Sequence, residues 1–262
     1  RVGYDFIIVT SSKSSSLELS KVLERIVSQL PGLELSYERP SELVVRNILD
    51  YSRFSIDDLV KRCYLITSEI FNNLIHFLER GRYDLIRYVE TLRDRLNELY
   101  QLHTRLMIAY LRRRELGKYL KLRSPVHIYS SIAISILIKE LADDLLSLVR
   151  IIARFRKKIW ASPQTYELVR SVFEKLSESF DRVFNAYLSL DFDQANRMLG
   201  EQVSWRFGKE LAKAGIRDRA VVELLSRLDT LCGHIYSILQ EISRLTLDLF
   251  IESSSPICAV GE

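Results

Sequence analysis

Two carboxylate pairs stand four residues apart in stretches of helical periodicity: Glu140 with Asp144, and Asp94 with Glu98. On a helix, residues i and i+4 share a face, so the two acids of a pair can converge on one cation. Several such pairs meeting from different helices would suit a hard or borderline metal bound through oxygen. A pair standing alone is ordinarily a solvated helix face, and we read both pairs in that way. His234 could ligate or titrate, but a lone helical histidine is ordinarily a packing residue. His76, His103 and His127 have no acidic or cysteine partner at metal spacing.

Basic residues gather in two stretches. One holds Arg112, Arg113, Arg114, Lys118, Lys121 and Arg123; the other holds Arg154, Arg156, Lys157 and Lys158, with Trp160 beside it. If these converge, they form a patch for an acidic partner, a nucleic acid or an anionic membrane surface. The commoner role is cations near helix C-termini. A net charge of +4 and 34 acidic residues elsewhere do not by themselves indicate a nucleic-acid-binding chain. No G-x-S-x-G, P-loop or dinucleotide fingerprint is present, so we expect no catalytic residues and no enzyme. Cys63, Cys232 and Cys258 are odd in number and scattered, with neither a disulfide framework nor zinc spacing. Cys63 and Cys232 sit at apolar-flanked helical positions and read as core thiols. A reducing, cytoplasmic setting is the expectation.

The elements that would position these residues are mostly helices. The chain has 262 residues with only nine Gly and five Pro, which argues for long helices over a turn-rich β fold. Residues 1–52 differ from the rest. Tyr4 to Thr10 reads as a strand, and Ser15-x-x-Glu18 reads as a capping box opening a helix that Pro31-Gly32 stops. Leu33 to Glu38 and Glu42 to Arg46 read as a hairpin, so the module is β-α-β-β. It is too small to be comfortable alone.

From Ser55 onward the pattern predicts six helices. They run from Ser55 to about Arg80, on to about Arg114, from Ser124-Pro125 to about Ile159, from Ser162-Pro163 to about Leu188, from Asp191 or Asp193 to near Gly215, and from about Arg217 to Ile251. The tail 253–262 reads as polar and frayed. No apolar run approaches the roughly 20 residues of a membrane span.

Internal similarity divides the helical part in two. Ile138-Lys139-Glu140-Leu141-Ala142-Asp143-Asp144 and Leu228-Asp229-Thr230-Leu231-Cys232-Gly233-His234 open related helix segments about 90 residues apart. Phe77 to Asp84 is similar to Tyr187 to Asp193, at an offset of about 109 residues. The first copy therefore carries about 19 additional residues, and Leu111 to Leu122 is the obvious insertion.

The two segments resemble the "L-E-R-I-G-D-H-A-x-N-I-A" helix of the PhoU family of phosphate-uptake regulators. Val60 to Ser68 resembles the archaeal family's "R-x-Y-x-I-A-S" helix, and Arg93 to Tyr100 its "R-D-x-x-V-D/N-x-L-Y" stretch. Gly3-Tyr4-Asp5, Pro31-Gly32-Leu33-Glu34 and Val44-Val45-x-x-Ile48-Leu49-Asp50 look like the module that follows an AbrB-type DNA-binding domain in archaeal PhoU-like proteins. The resemblance covers nearly the whole chain. It implies a mainly α fold: a small module at 1–52, then PhoU-type three-helix repeats at 53–160 and 161–252.

The resemblance also implies metal binding through E/D-x-x-x-D pairs. The matched positions here are Lys139 and Asp143, Asp229 and Gly233, Arg93 and Asn97, and Glu201 and Trp205, so no matched pair keeps both acids. What remains for an Fe, Zn or Mg ion is Asp143, Asp229, Glu201 and His234; Glu140/Asp144 and Asp94/Glu98 lie about 100° round the helix. We therefore expect no cofactor. The implied function is regulation of phosphate uptake without catalysis, through contact with a phosphate-transporter ATPase, a sensor kinase or transcription machinery. The other reading is a transcription regulator whose AbrB-type domain lies upstream of Arg1, the only route to DNA. A homodimer is the default expectation for such a regulator.

Overall fold

The computed structural model describes residues 4–10, 17–28, 30–39, 42–201 and 218–254. Its elements in chain order are β1 (Phe6–Thr10), α1 (Leu17–Ser28), β2 (Leu33–Arg39), β3 (Glu42–Asn47), α2 (Ile56–Arg80), α3 (Asp84–Arg112), α4 (Pro125–Ala161), α5 (Pro163–Ser189), α6 (Phe192–Gly200) and α7 (Arg219–Ser254). The fold is mainly α, with six helices after the small sheet module among the described residues. The fifth helix, expected to run to near Gly215, instead ends at Gly200, where Glu201 takes an extended conformation; Ser15, Trp205 and Cys258 lie outside the described residues.

Side-chain caps fix three helix starts where the sequence placed them. Ser124 Oγ accepts from the His127 amide at 3.0 Å, Ser162 Oγ from Thr165 at 3.2 Å, and Asp191 from Gln194 at 3.0 Å. Pro163 occupies the first helical position, where its missing N–H costs nothing. The helix ends also match across the proposed repeat. Gly81 after α2 and Leu190 after α5 both adopt the left-handed conformation, with φ of 64° and 53°. These are the equivalent turns noted in the sequence.

The chain forms two compact units that interleave in sequence: 1–60 with 97–135, and 61–96 with 136–262. In the first unit the sheet order is β1-β3-β2, both pairings antiparallel. Central β3 buries Leu43, Val44 and Val45, whereas Phe6, Ile7 and Ile8 of edge strand β1 are exposed. Helix α1 lies by β2, where the Tyr37 hydroxyl donates to Glu24 at 2.6 Å. Ile56, Leu59, Leu102, Leu106, Leu116 and Leu120 form the core of this unit. The buried Arg105 guanidinium of α3 donates to the Pro31 carbonyl and to Asn47 Oδ1, tying helix to sheet module.

In the second unit an aromatic stack joins α2 to α5. Tyr64 lies 5.5 Å from Phe180 and 5.2 Å from Phe184, and Phe71 packs 5.2 Å from Phe180. Helix α7 packs on α5 and α6, and Leu228, Ile235 and Leu239 on its inner face are fully buried. Gly233, in the middle of α7, would meet nothing within 4 Å if it carried a Cβ. Gly233→Ala is therefore expected to stabilise the protein by about 0.5–1 kcal/mol, through helix propensity alone. Urea unfolding measures this directly; a loss of stability would mean that the small residue serves close packing.

Candidate functional site

The two segments that resemble one another lie on α4 and α7, and one contact joins them. His234 Nδ1 and Asp144 Oδ2 are 2.5 Å apart. Asp144 is mostly buried, with its side chain 17% exposed, while His234 is 56% exposed. Burial raises the Asp144 carboxyl above its ordinary value, and the hydrogen bond with His234 only partly opposes this. Beside the pair runs a shallow polar cleft of about 270 Å³, lined by Glu140, His234, Ser237, Gln240, Glu241 and Arg244 among others.

Adjacent Asp143 faces a different set. Lys139 Nζ is 3.0 Å away and Arg93 Nε of α3 is 3.4 Å away. Both cations occupy positions where the resemblance would place acids; Lys139 pairs with Asp143, and Arg93 is shared between Asp143 and its neighbour Asp94 at 3.1 Å. Glu201, at the end of α6, is held by Arg182 through two contacts of 2.8 and 3.2 Å and by the Tyr236 hydroxyl at 3.1 Å. Arg182 keeps its carboxyl below the usual range. This carboxylate links α5, α6 and α7. Asp229 is exposed on α7.

Among the described residues, no three His, Cys, Asp or Glu side chains converge in a way that could hold a metal ion. Asp143, Asp229, Glu201 and His234 thus do not form the cluster that the resemblance implies: the positions matched to the missing acids hold Lys139, Gly233, Arg93, Asn97 and Trp205, none of them a carboxylate. Glu140, Asp94 and Glu98 are exposed on their helices.

The basic residues divide between the units. In the first, Arg112, Arg113 and Arg114 lie over the rings of Tyr4, Tyr51 and Tyr110 at 4.7, 5.1 and 5.0 Å, and Lys118 and Lys121 are exposed. In the second, Arg156 lies over Tyr83 and Trp160, Arg154 over Phe155, and Lys158 bonds Asp218 at 2.6 Å, with Lys157 exposed. Cation–π stacking orders the arginines and accounts for part of the tyrosine content.

The buried thiols do not offer chemistry. Burial pushes Cys63 and Cys232 up to about 12, leaving no useful thiolate. His103 is buried with both ring nitrogens unpartnered, and burial lowers it to about 4, so it stays neutral near neutral pH.

Three pairings were not readable from the sequence. Asp181 accepts from Tyr64 at 3.1 Å and Ser68 at 3.4 Å. His127 is hydrogen-bonded on both sides, with the Arg123 amide donating to Nδ1 at 3.2 Å and Asp57 lying 2.9 Å from Nε2. His127 therefore carries its proton on Nε2 and donates to Asp57. The third is Asp144 with His234. Only the caps had a local signal; these contacts span 70 to 117 residues.

Among the described residues, no helix is long and apolar enough to cross a membrane. Comparison with family models, with curated proteins and with solved structures gives no match.

Proposed function

We propose that this chain is a non-enzymatic regulator of phosphate uptake that works by docking to a protein partner. The supporting observation is the Asp144–His234 contact. It joins the two PhoU-like segments beside a polar cleft, where burial disfavours the ionised Asp144 carboxyl and the hydrogen bond with His234 partly offsets this. A carboxylate with a raised pKa destabilises the fold while ionised, so a neutral isostere at that position is tolerated. His234, held on that carboxylate and 56% exposed, lines the cleft and fits a surface for recognition. The reading assigns docking to Glu140, His234, Glu241 and Arg244 around the cleft. The partner would be a phosphate-transporter ATPase or a sensor kinase.

The sign of the pH effect follows from the raised carboxyl. A folded-state pKa above the unfolded value means that folding gains from protonation as pH falls through the folded value, and that the gain is absent at neutral pH. Asp144→Asn is expected to leave stability at pH 7 unchanged or higher, and to lose that advantage at acidic pH where the native Asp144 is itself protonated. Urea unfolding at both pH values checks this. A marked loss at pH 7 would make the pair structural.

The functional test is partner capture on the tagged full chain from cells grown with scarce and with abundant phosphate. A transporter ATPase or sensor kinase whose recovery changes with phosphate, and falls in His234→Ala, supports the reading. Recovery of promoter DNA or polymerase irrespective of phosphate would replace it with direct transcriptional control.

A further inference from the structure

The segment Leu111 to Leu122, present in one repeat and absent from the other, builds something of its own. It contains a 3₁₀ turn at Arg114–Gly117 and a left-handed residue at Lys121, with φ of 54°. The chain then turns into α4 at Ser124-Pro125. Between this segment, the end of α3 and the start of α4 lies a cleft of about 560 Å³, wholly within the first unit. That volume is in the usual range for a small-molecule site, roughly 300–1,000 Å³.

The chemistry of the walls is one-sided. Tyr110, Leu111, Leu122, Ile128, Tyr129 and Ile132 supply an apolar lining, and no acidic residue lines the cleft. Leu111 is 56% exposed and Tyr129 is 62% exposed, so apolar surface stands open at the mouth. Gly117 keeps one wall in place, since a Cβ there would come within 3.2 Å of the Tyr110 ring.

Two guanidinium groups line the same cleft. Arg123 is engaged, 3.2 Å from Asp57. Arg114 is not: it lies over the Tyr110 ring at 5.0 Å and has no carboxylate partner among the described residues. The ring contact orders the guanidinium and leaves its N–H groups for an incoming acid.

We infer that this cleft binds a small organic acid with an apolar body, its carboxylate on Arg114 and its apolar part against Tyr129, Ile128 and Ile132. The charge decides the class. A neutral apolar ligand would leave Arg114 without a partner, and a cationic ligand would meet two arginines and no acid. The insertion thereby gives the first repeat a ligand site of its own.

Titration calorimetry of the full chain with decanoate, against decanol of equal length, tests this. Decanoate is expected to bind saturably with one-to-one stoichiometry, and decanol about tenfold or more weakly, since its hydroxyl can accept from Arg114 but brings no charge to the guanidinium. Arg114→Glu should weaken decanoate by about tenfold or more and leave decanol unchanged. Tyr129→Ala should weaken both. Arg114 and Tyr129 are exposed, so neither change threatens folding. Absence of decanoate binding, equal affinity for the acid and the alcohol, or decanoate affinity indifferent to either substitution would overturn the assignment.

Discussion

Phe180→Ala is expected to cost about 4 kcal/mol of stability, from a usual range of roughly 3–5 for a buried phenylalanine. Phe180 is fully buried, and its ring touches three others: Phe184 at 4.7 Å, Phe71 at 5.2 Å and Tyr64 at 5.5 Å. Truncation loses the transfer free energy of the ring and leaves a cavity between α2 and α5 that rigid neighbours cannot close. Each aromatic pair adds about 0.5–1.5 kcal/mol beyond its area, so losing contacts to three rings places the cost above the ordinary minimum. Phe180→Leu keeps most of the volume and should cost about half as much. Chemical unfolding of the three proteins measures the series. A cost below about 1 kcal/mol for the alanine variant would mean that α2 and α5 do not share this core.

Gly81→Val is the second large effect, at about 3 kcal/mol. Gly81 sits at φ of 64°, a region where a β-branched residue is a genuine outlier, and strain of that kind costs roughly 1–3 kcal/mol. Sterics add to it. A Cβ at residue 81 would lie 2.3 Å from Cη2 of Trp160, so the indole must move. Trp160 is not free to move at no cost, because its Nε1–H donates to the Leu78 carbonyl at 2.9 Å and its ring lies under Arg156. The two contributions separate in a double-mutant cycle. Trp160→Leu should relieve the steric part of Gly81→Ala and leave the backbone part, so the double variant should be more stable than the sum of the singles predicts. Strict additivity would contradict the contact.

Local signals carried most of the fold. Ser124, Ser162 and Asp191 announce their helices because an N-cap is a matter of three adjacent residues. The buried stripe Leu59, Cys63, Ile70, Leu74, Phe77 along α2 follows from spacing alone. Two helix ends fell within a few residues of their expected places, Arg112 against Arg114 and Ala161 against Ile159, whereas the helix that starts after Asp191 ends at Gly200 and not near Gly215. What spacing cannot convey is which helix a given face meets. Asp144 looked like half of a solvated pair with Glu140, yet it is turned inward onto His234 from α7. Glu201 looked like a metal ligand, yet Arg182 and Tyr236 occupy it. Both depend on the side chain facing them across the bundle, and a cation or hydroxyl there turns a ligand position into a structural one. The cleft beside Leu111–Leu122 was likewise hidden: the insertion is visible as a mismatch of offsets, but the space it encloses exists only once α3 and α4 are in place.

The most direct measurement of the proposed regulatory role is the initial rate of labelled phosphate uptake in source cells with and without this chain, after transfer from scarce to abundant phosphate. We predict that cells lacking the chain continue to take up phosphate at the scarce-phosphate rate, and that the native chain restores the decline while His234→Ala does not. An unchanged decline in cells lacking the chain would contradict a role in phosphate uptake.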